Sequence, residues 1–388
     1  MTTASLVASP RPYTGRSLVL VLSDVHLAPT FKSHRLPFRS AAFSPAVYLS
    51  QTIDRAVEEA RAARASIEIV LAGDVFDFDV AQSAEEAEIG LRLLDTTEPA
   101  TAASVLQRTL QEHLPFALAL KRATQAGARV VVLPGNHDAQ LGFDVVKTVL
   151  HRSFGPGVTF APWYYGAAGG AVHVEHGHLY DPLCAVTRLC LDTATNSERT
   201  IGTVSSFYAP LLFPGMDPFV TDPFADRRTF RTMLSAARLV DTRSILACMR
   251  ELWTAAKDCG APDDCNALAS SLGIEPEQVD YLRCFFAPKA TPNEIAAICS
   301  GSMDYARAVE ERTIQAATAA TSAHGARVAV VGHTHRPGST PLPNGMTLLN
   351  SGAWTPRRSA NEPVGSYAWI STDNGRINEA TVKQVFRA

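Results

Sequence analysis

Seven residues with good metal-ligand side chains stand just after short apolar runs, at five separate places in the chain. They are Asp24, His26, Asp74, Asn136, His176, His333 and His335. Carboxylates, imidazoles and an amide oxygen together suit manganese, iron, zinc or cobalt, whereas calcium prefers oxygen ligands alone. Two such ions about 3.5–4 Å apart can clamp a phosphoryl group and hold a shared hydroxide for attack on phosphorus. The ligand set therefore predicts a two-metal site that cleaves phosphoesters, with the two oxygens of Asp74 as the natural bridge.

The apolar runs that precede these ligands are short and rich in β-branched residues. They cover 18–22, 67–71, 130–133, 171–174 and 328–331. Such runs are typical of buried strands. Because open α/β sheets place their ligands at the carboxyl ends of strands, ligands that are distant in sequence are expected to converge there.

Helical periodicity fills the intervals between the first three runs. It predicts helices over 45–64, 84–94 and 104–125. A glycine-rich stretch between 158–165 and 171–175 favours a hairpin, and three further strands are predicted over 347–350, 367–371 and 377–385. The fold class predicted is α/β, with a mostly antiparallel second half of the sheet system.

The interval 179–326 has a different character, since helical spacing dominates it and a proline-rich apolar loop, 207–224, stands near its start. We predict a flexible amino terminus over 1–16, a core formed by 17–178 and 327–388, and a helical lid over 179–326 that covers the site. The loop 207–224 either lines an acyl pocket or touches a membrane surface, or it packs its aromatic residues against the lid helices.

Composition narrows the class of protein. The 388 residues carry a formal net charge of −3, so there is no strong basic field to hold nucleic acid non-specifically. The first 16 residues lack the long apolar stretch of a secretory signal, and no run of about 18 apolar residues predicts a membrane span. The seven cysteines show no Cys-x-x-Cys spacing, which favours free thiols. A cytoplasmic location is expected.

Five ordered motifs, taken together, resemble those of the calcineurin-like metallophosphoesterase superfamily. They are Ser-Asp-Val-His at 23–26, Gly-Asp-Val-Phe-Asp at 73–77, Gly-Asn-His-Asp at 135–138, His-Gly-His at 176–178 and Gly-His-Thr-His at 332–335. The resemblance implies a four-layer α/β/β/α metallophosphoesterase sandwich. It also implies two divalent ions, manganese first, with iron, zinc or cobalt as alternatives.

The resemblance assigns the ligands to two ions. One ion takes Asp24, His26, Asp74 and His335, and the other takes Asp74, Asn136, His176 and His333. His137 is implied to contact the phosphate and to stabilise the transition state or protonate the leaving group, with Asp138 orienting its ring. His178 is an alternative to His176 as ligand, or a contact to substrate. Asp77 is expected to support the loop or a ligand.

The substrate is expected to be a phosphorylated small molecule or a lipid-linked compound, held as a phosphodiester, pyrophosphate or phosphomonoester. Residues 24–27, 73–76, 333–337 and 352–354 are similar to UDP-2,3-diacylglucosamine hydrolases, which cleave a pyrophosphate. The chain departs from that group in its longer lid and in His137, where the group has arginine. The alternatives are a nucleic-acid phosphodiesterase and a non-catalytic scaffold. Peripheral membrane contact through the lid is a further expectation, and the sequence leaves the oligomeric state open.

Overall fold

Two β-sheets packed face to face position the predicted ligands. The computed structural model describes residues 15–29, 45–78, 99–161, 164–181, 184, 188–192, 197–201, 304–354 and 363–386. In chain order its strands are β1 (Arg16–Leu22), β2 (Ser66–Ala72), β3 (Arg129–Leu133), β4 (Val158–Phe160), β5 (Tyr164–Ala167), β6 (Val172–Glu175), β7 (Arg188–Asp192), β8 (Ser197–Ile201), β9 (Val328–Val331), β10 (Gly338–Pro341), β11 (Thr347–Asn350), β12 (Gly365–Asp373) and β13 (Arg376–Val385).

The first sheet has six strands in the order β13-β12-β1-β2-β3-β4. Strands β1 to β4 are parallel, and β12 and β13 add an antiparallel edge. The second sheet has the order β10-β11-β9-β6-β5, with β6, β9 and β11 parallel in its centre. Strands β7 and β8 form a separate antiparallel pair. The carboxyl ends of β1, β2, β3, β6 and β9 are therefore available to one site.

The described helices lie on the two outer faces of the sheets. They are α1 (Ala46–Ala63), α2 (Pro99–Glu112), α3 (Leu114–Gln125), α4 (Asp144–Phe154) and α5 (Tyr305–His324). Alternation in β1 shows the layering: Leu18, Leu20 and Leu22 pack into a core with residues of α1 to α4, whereas Val19 and Val21 pack between the sheets. Helix α5 covers the other face, where Ala317 packs with β9 and β11. The predicted α/β/β/α order is confirmed.

Two predicted elements differ in detail. The helix expected over 104–125 is two helices, because Pro115 lacks a backbone N–H and starts a new helix after His113. The hairpin is formed by β5 and β6, while β4 joins the first sheet beside β3. A three-residue strand carries too little pattern to show which sheet it enters.

The interval 179–326 ends in a helix that belongs to the core layers, since α5 packs on the second sheet. The helix predicted over 84–94 and the loop 207–224 lie outside the described residues, as does most of the predicted lid. Within the described parts of the chain, no helix combines the length and apolar character needed to cross a membrane.

Candidate metal centre

All five predicted motifs follow strands of the two sheets, and their loops are hydrogen-bonded to one another. The loop after β1 is joined to the loop after β2, because Asp24 N donates to Gly73 O at 3.1 Å and His26 N donates to Asp74 O at 2.9 Å. On the second sheet, Gly332 N donates to His176 O at 2.8 Å. The predicted convergence of distant ligands is what the fold produces.

The first ligand group brings together Asp24, His26 and His335, which each offer an atom within 4.8 Å of the others. His335 Nε2 lies 3.3 Å from Asp24 Oδ1 and 3.3 Å from His26 Nε2. Asp24 is fully buried. One carboxylate and two imidazoles thus face a common point.

The second group brings together Asp74, His176 and His333, which each offer a ligand atom within 4.8 Å of the other two. His176 Nδ1 lies 2.9 Å from the Ala72 carbonyl oxygen, to which it must donate. Nε2, which lies 3.1 Å from Asp74 Oδ2, is therefore the ring nitrogen available to a cation. Beside them, Asn136 Oδ1 is buried and has no hydrogen-bond partner among the described residues. Several electron-pair donors lie together here, and two of them, Asn136 Oδ1 and His176 Nε2, have no hydrogen-bond partner in the part of the chain that the structure describes, which fits a divalent cation.

The backbone at this centre is unusual. Five of the seven predicted ligands have positive φ angles: Asp24 (52°), His26 (53°), Asp74 (51°), His333 (66°) and His335 (56°). Non-glycine residues seldom adopt this left-handed conformation, which persists where surrounding structure enforces it and concentrates at functional sites. The loop conformations therefore aim side chains at the site at a cost in local stability.

Three motif glycines stand where no side chain fits. A Cβ at Gly73 would lie 2.6 Å from the His176 ring, one at Gly135 would lie 2.2 Å from Asp74 Oδ1, and one at Gly332 would lie 2.3 Å from Asp24 Oδ2. Each glycine lets its loop approach a ligand from another strand. The glycines at these three positions thus have a steric reason.

The electrostatics of the centre favour positive charge beside ionised carboxylates. Burial raises the pKa of Asp74, but His176 and His137 outweigh it, so that the pKa stays well below the usual value. Burial lowers the pKa of His176, yet Asp74 and Asp24 outweigh that effect and raise it to about 9. Without a metal, His176 is therefore protonated near neutral pH, and its positive charge partly balances the two carboxylates.

The surroundings of His137 differ from the sequence-based expectation. Both oxygens of Asp138 accept backbone N–H groups, with Gly135 N at 2.6 Å and Val75 N at 2.9 Å. The carboxylate beside the His137 ring is that of Asp77, whose Oδ1 lies 3.8 Å from His137 Nδ1. Asp138 therefore holds the two loops together. The 3.8 Å between Asp77 Oδ1 and His137 Nδ1 is too long for a hydrogen bond, and Asp77 Oδ2 lies closer to His26 Nδ1, at 3.5 Å. The sequence did not show this difference, because Asp77 and Asp138 each follow a predicted ligand by two or three residues.

Two further residues border the ligand groups. His178 is buried near His176, with ring centroids 5.3 Å apart, but only His176 belongs to a ligand group described above. Asp181, which sequence reasoning missed, lies 2.8 Å from His333 Nε2 through Oδ2. The spacing of residues in the sequence could not show this contact, because Asp181 follows β6 and His333 follows β9, 152 residues further along the chain.

Comparison with known proteins agrees with this geometry. Residues 17–208 match the calcineurin-like phosphoesterase family. That interval holds the loops after β1, β2, β3 and β6, and the fold brings the loop after β9 to them. No curated protein matches the chain in sequence.

Among solved structures, the chain is similar to one described as a conserved uncharacterized protein, a predicted phosphoesterase, from Streptococcus pneumoniae TIGR4. The two are 11% identical over 97% of this chain and 100% of that one, with a TM-score of 0.29. A second solved structure is 9% identical over 95% of this chain and 98% of that chain, with a TM-score of 0.33. Likeness at this level bears on neither substrate nor mechanism. The match of residues 17–208 to the calcineurin-like phosphoesterase family covers slightly less than half of the 388 residues.

Proposed function

We propose that this protein is a dinuclear metal-dependent phosphoesterase. The observation that carries the proposal is the meeting of two ligand groups, Asp24 with His26 and His335, and Asp74 with His176 and His333. The groups adjoin, because the Asp24 carboxylate also accepts the backbone N–H of His333 at 2.9 Å. When bound, two divalent ions would supply Lewis-acid stabilisation of the phosphoryl oxygens and activation of the attacking water.

The protein's own residues then supply position and proton transfer. Asp74 belongs to the second group by its side chain, and its carbonyl oxygen accepts from His26 in the first. His137 N donates to Asp74 Oδ1 at 2.8 Å, which fixes the loop that carries the His137 ring. That ring is partly exposed and lies 5.1 Å from the His26 ring, measured between centroids. In this proposal the His137 ring donates a proton to the leaving oxygen as the ester bond breaks.

The finer question is which phosphoester is cleaved. The similarity of motif residues to UDP-2,3-diacylglucosamine hydrolases makes a lipid-linked nucleotide sugar our proposed substrate class, in keeping with the apolar stretch 207–224. The net charge of −3 disfavours a nucleic-acid substrate, since no basic excess is available to bind its phosphates.

A metal-supplemented substrate screen tests the proposal. The purified chain, stripped with EDTA and reloaded with manganese, is assayed on p-nitrophenyl phosphate, bis-p-nitrophenyl phosphate, cyclic nucleotides and a UDP-sugar lipid. Asp74→Asn should abolish hydrolysis, whereas Asp144→Asn, at an exposed helix residue, should leave it unchanged. A chain that binds no manganese and hydrolyses none of these compounds would favour the non-catalytic scaffold.

A further inference from the structure

His333 has a second polar neighbour beyond the ligand group that it shares with Asp74 and His176. Its Nε2 lies 2.8 Å from Asp181 Oδ2, and both side chains are buried. A carboxylate only accepts hydrogen bonds, so the imidazole must donate its Nε2–H to Asp181. Neutral imidazole has one N–H and one lone pair, and this bond therefore leaves the lone pair on Nδ1.

We propose that Asp181 is the positioning residue that makes His333 a metal ligand through Nδ1. The proposal rests on the two-metal function proposed for this protein. A carboxylate that accepts the second N–H of a ligating histidine fixes its tautomer, restrains its ring and raises its basicity. The same geometry distinguishes His333 from His176, whose Nδ1 is engaged by the Ala72 carbonyl and whose Nε2 faces Asp74.

The turn that carries Asp181 is itself fixed. Asp181 follows a 3-10 turn, His178–Tyr180, and its backbone N donates to His178 O at 3.1 Å. The Tyr180 hydroxyl donates to Glu175 Oε1 at 2.5 Å, and its ring packs against Ala316 of α5. The backbone that carries the carboxylate is thus anchored through Tyr180 to both β6 and α5.

The main chain of His333 is held from the opposite side. Its N donates to Asp24 Oδ1 and Oδ2, at 3.1 and 2.9 Å, while the residue adopts a φ of 66°. Asp24 therefore restrains the backbone, and Asp181 restrains the ring. With both ends fixed, little rotational freedom is left to lose when a metal binds, which raises affinity through preorganisation.

Titration of the EDTA-stripped full-length chain with MnCl₂ in a calorimeter tests the proposal. Wild type should show two binding steps. Asp181→Ala should weaken one of them by about 10–100-fold, the usual effect of removing a carboxylate behind a metal-bound histidine, and leave the other unchanged. His333→Ala should lose the same step. Asp181→Asn keeps an acceptor oxygen without the charge and should fall between Asp181→Ala and wild type.

Cys184 provides the matched control. It is buried, and its sulfur lies within 4.8 Å of one carboxylate oxygen of Asp181 and one ring nitrogen of His333. Cys184→Ala should leave both binding steps as in wild type. An equal loss in Cys184→Ala and Asp181→Ala would show that packing around His333 sets the affinity, which would overturn the proposal.

Thermal stability without metal separates a positioning role for Asp181 from a structural one. A purely structural role would lower the thermal midpoint in EDTA and weaken both binding steps equally, which contradicts the proposal. If Asp181→Ala does not fold, Asp181→Asn decides, and wild-type affinity in that variant overturns the role. Absence of manganese binding by the wild type would instead refute the two-metal function itself.

Discussion

Replacing Gly135 by alanine should dismantle the second ligand group without removing any ligand. The added Cβ would lie 2.2 Å from Asp74 Oδ1 and 2.6 Å from Asp74 N, where an ordinary contact needs 3.4 Å or more. The carboxylate or the loop after β3 must therefore move by about 1.2 Å, whereas metal–ligand distances tolerate only about 0.2 Å. No positive φ is involved at Gly135, so the effect is purely steric.

The size of the effect follows from that displacement. Misplacement of reacting groups by about 1 Å costs about 100-fold in rate, so manganese-dependent hydrolysis of bis-p-nitrophenyl phosphate should fall at least that far in Gly135→Ala. Overpacking of this kind costs about 1–3 kcal/mol, and the thermal midpoint should fall by about 2–12 °C. Metal bound per chain, measured after dialysis, should fall below two.

Gly338→Ala is the matched control, because its added Cβ would meet no atom within 4 Å and the residue has no positive φ. It should keep wild-type activity, metal content and thermal midpoint. Two tightly bound metals and full turnover in Gly135→Ala would refute the close approach of this loop to Asp74.

Three other changes test separate parts of the centre. His137→Ala should retain both metals, by elemental analysis, but lose about 10²–10⁴-fold in kcat, as expected for a lost proton donor. Asp138→Asn should lower the thermal midpoint, since its one acceptor oxygen cannot replace the carboxylate that now receives Gly135 N and Val75 N, and each unpaired buried N–H costs about 1–3 kcal/mol. In EDTA, the free energy of unfolding should fall as pH rises from about 6.5 through about 9, because the pKa of His176 is raised to about 9 in the folded protein. The stability that this group contributes is full below its pKa in the unfolded chain and is lost above its pKa in the folded protein. Urea unfolding at pH 6.5 and 9.5 checks this, and equal midpoints would contradict it.

The side chains that the fold brings together could be predicted from sequence because each follows an apolar run that can be recognised locally. Val19 and Leu20 in β1, or Val330 and Val331 in β9, are apolar on both faces, as a strand between two layers requires. A polar residue directly after such a run must leave the sheet at its carboxyl end. Strand and ligand are therefore encoded together within a few residues.

Contacts between loops could not be found in this way. Asp77 and Asp138 each lie within a few residues of a ligand, and only the fold shows that Asp77 lies by the His137 ring while Asp138 receives backbone amides. The hydrogen bond from His333 to Asp181 joins residues 152 apart in sequence. Its formation depends on β6 and β9 being neighbours, which is a property of sheet order.

The ligand groups combine residues from both sheets, so their geometry depends on how the two sheets pack. Asp24 and Asp74 leave the first sheet, whereas His176 and His333 leave the second. Their relative positions are set by the apolar layer between the sheets, which includes Val21 of β1. The bond from His333 N to Asp24 spans this boundary directly, at 2.9 Å. Because no single loop contains a complete ligand group, the two sheets must pack correctly before either group is assembled. Assembly of both ligand groups is therefore expected to depend on the folding of the sandwich.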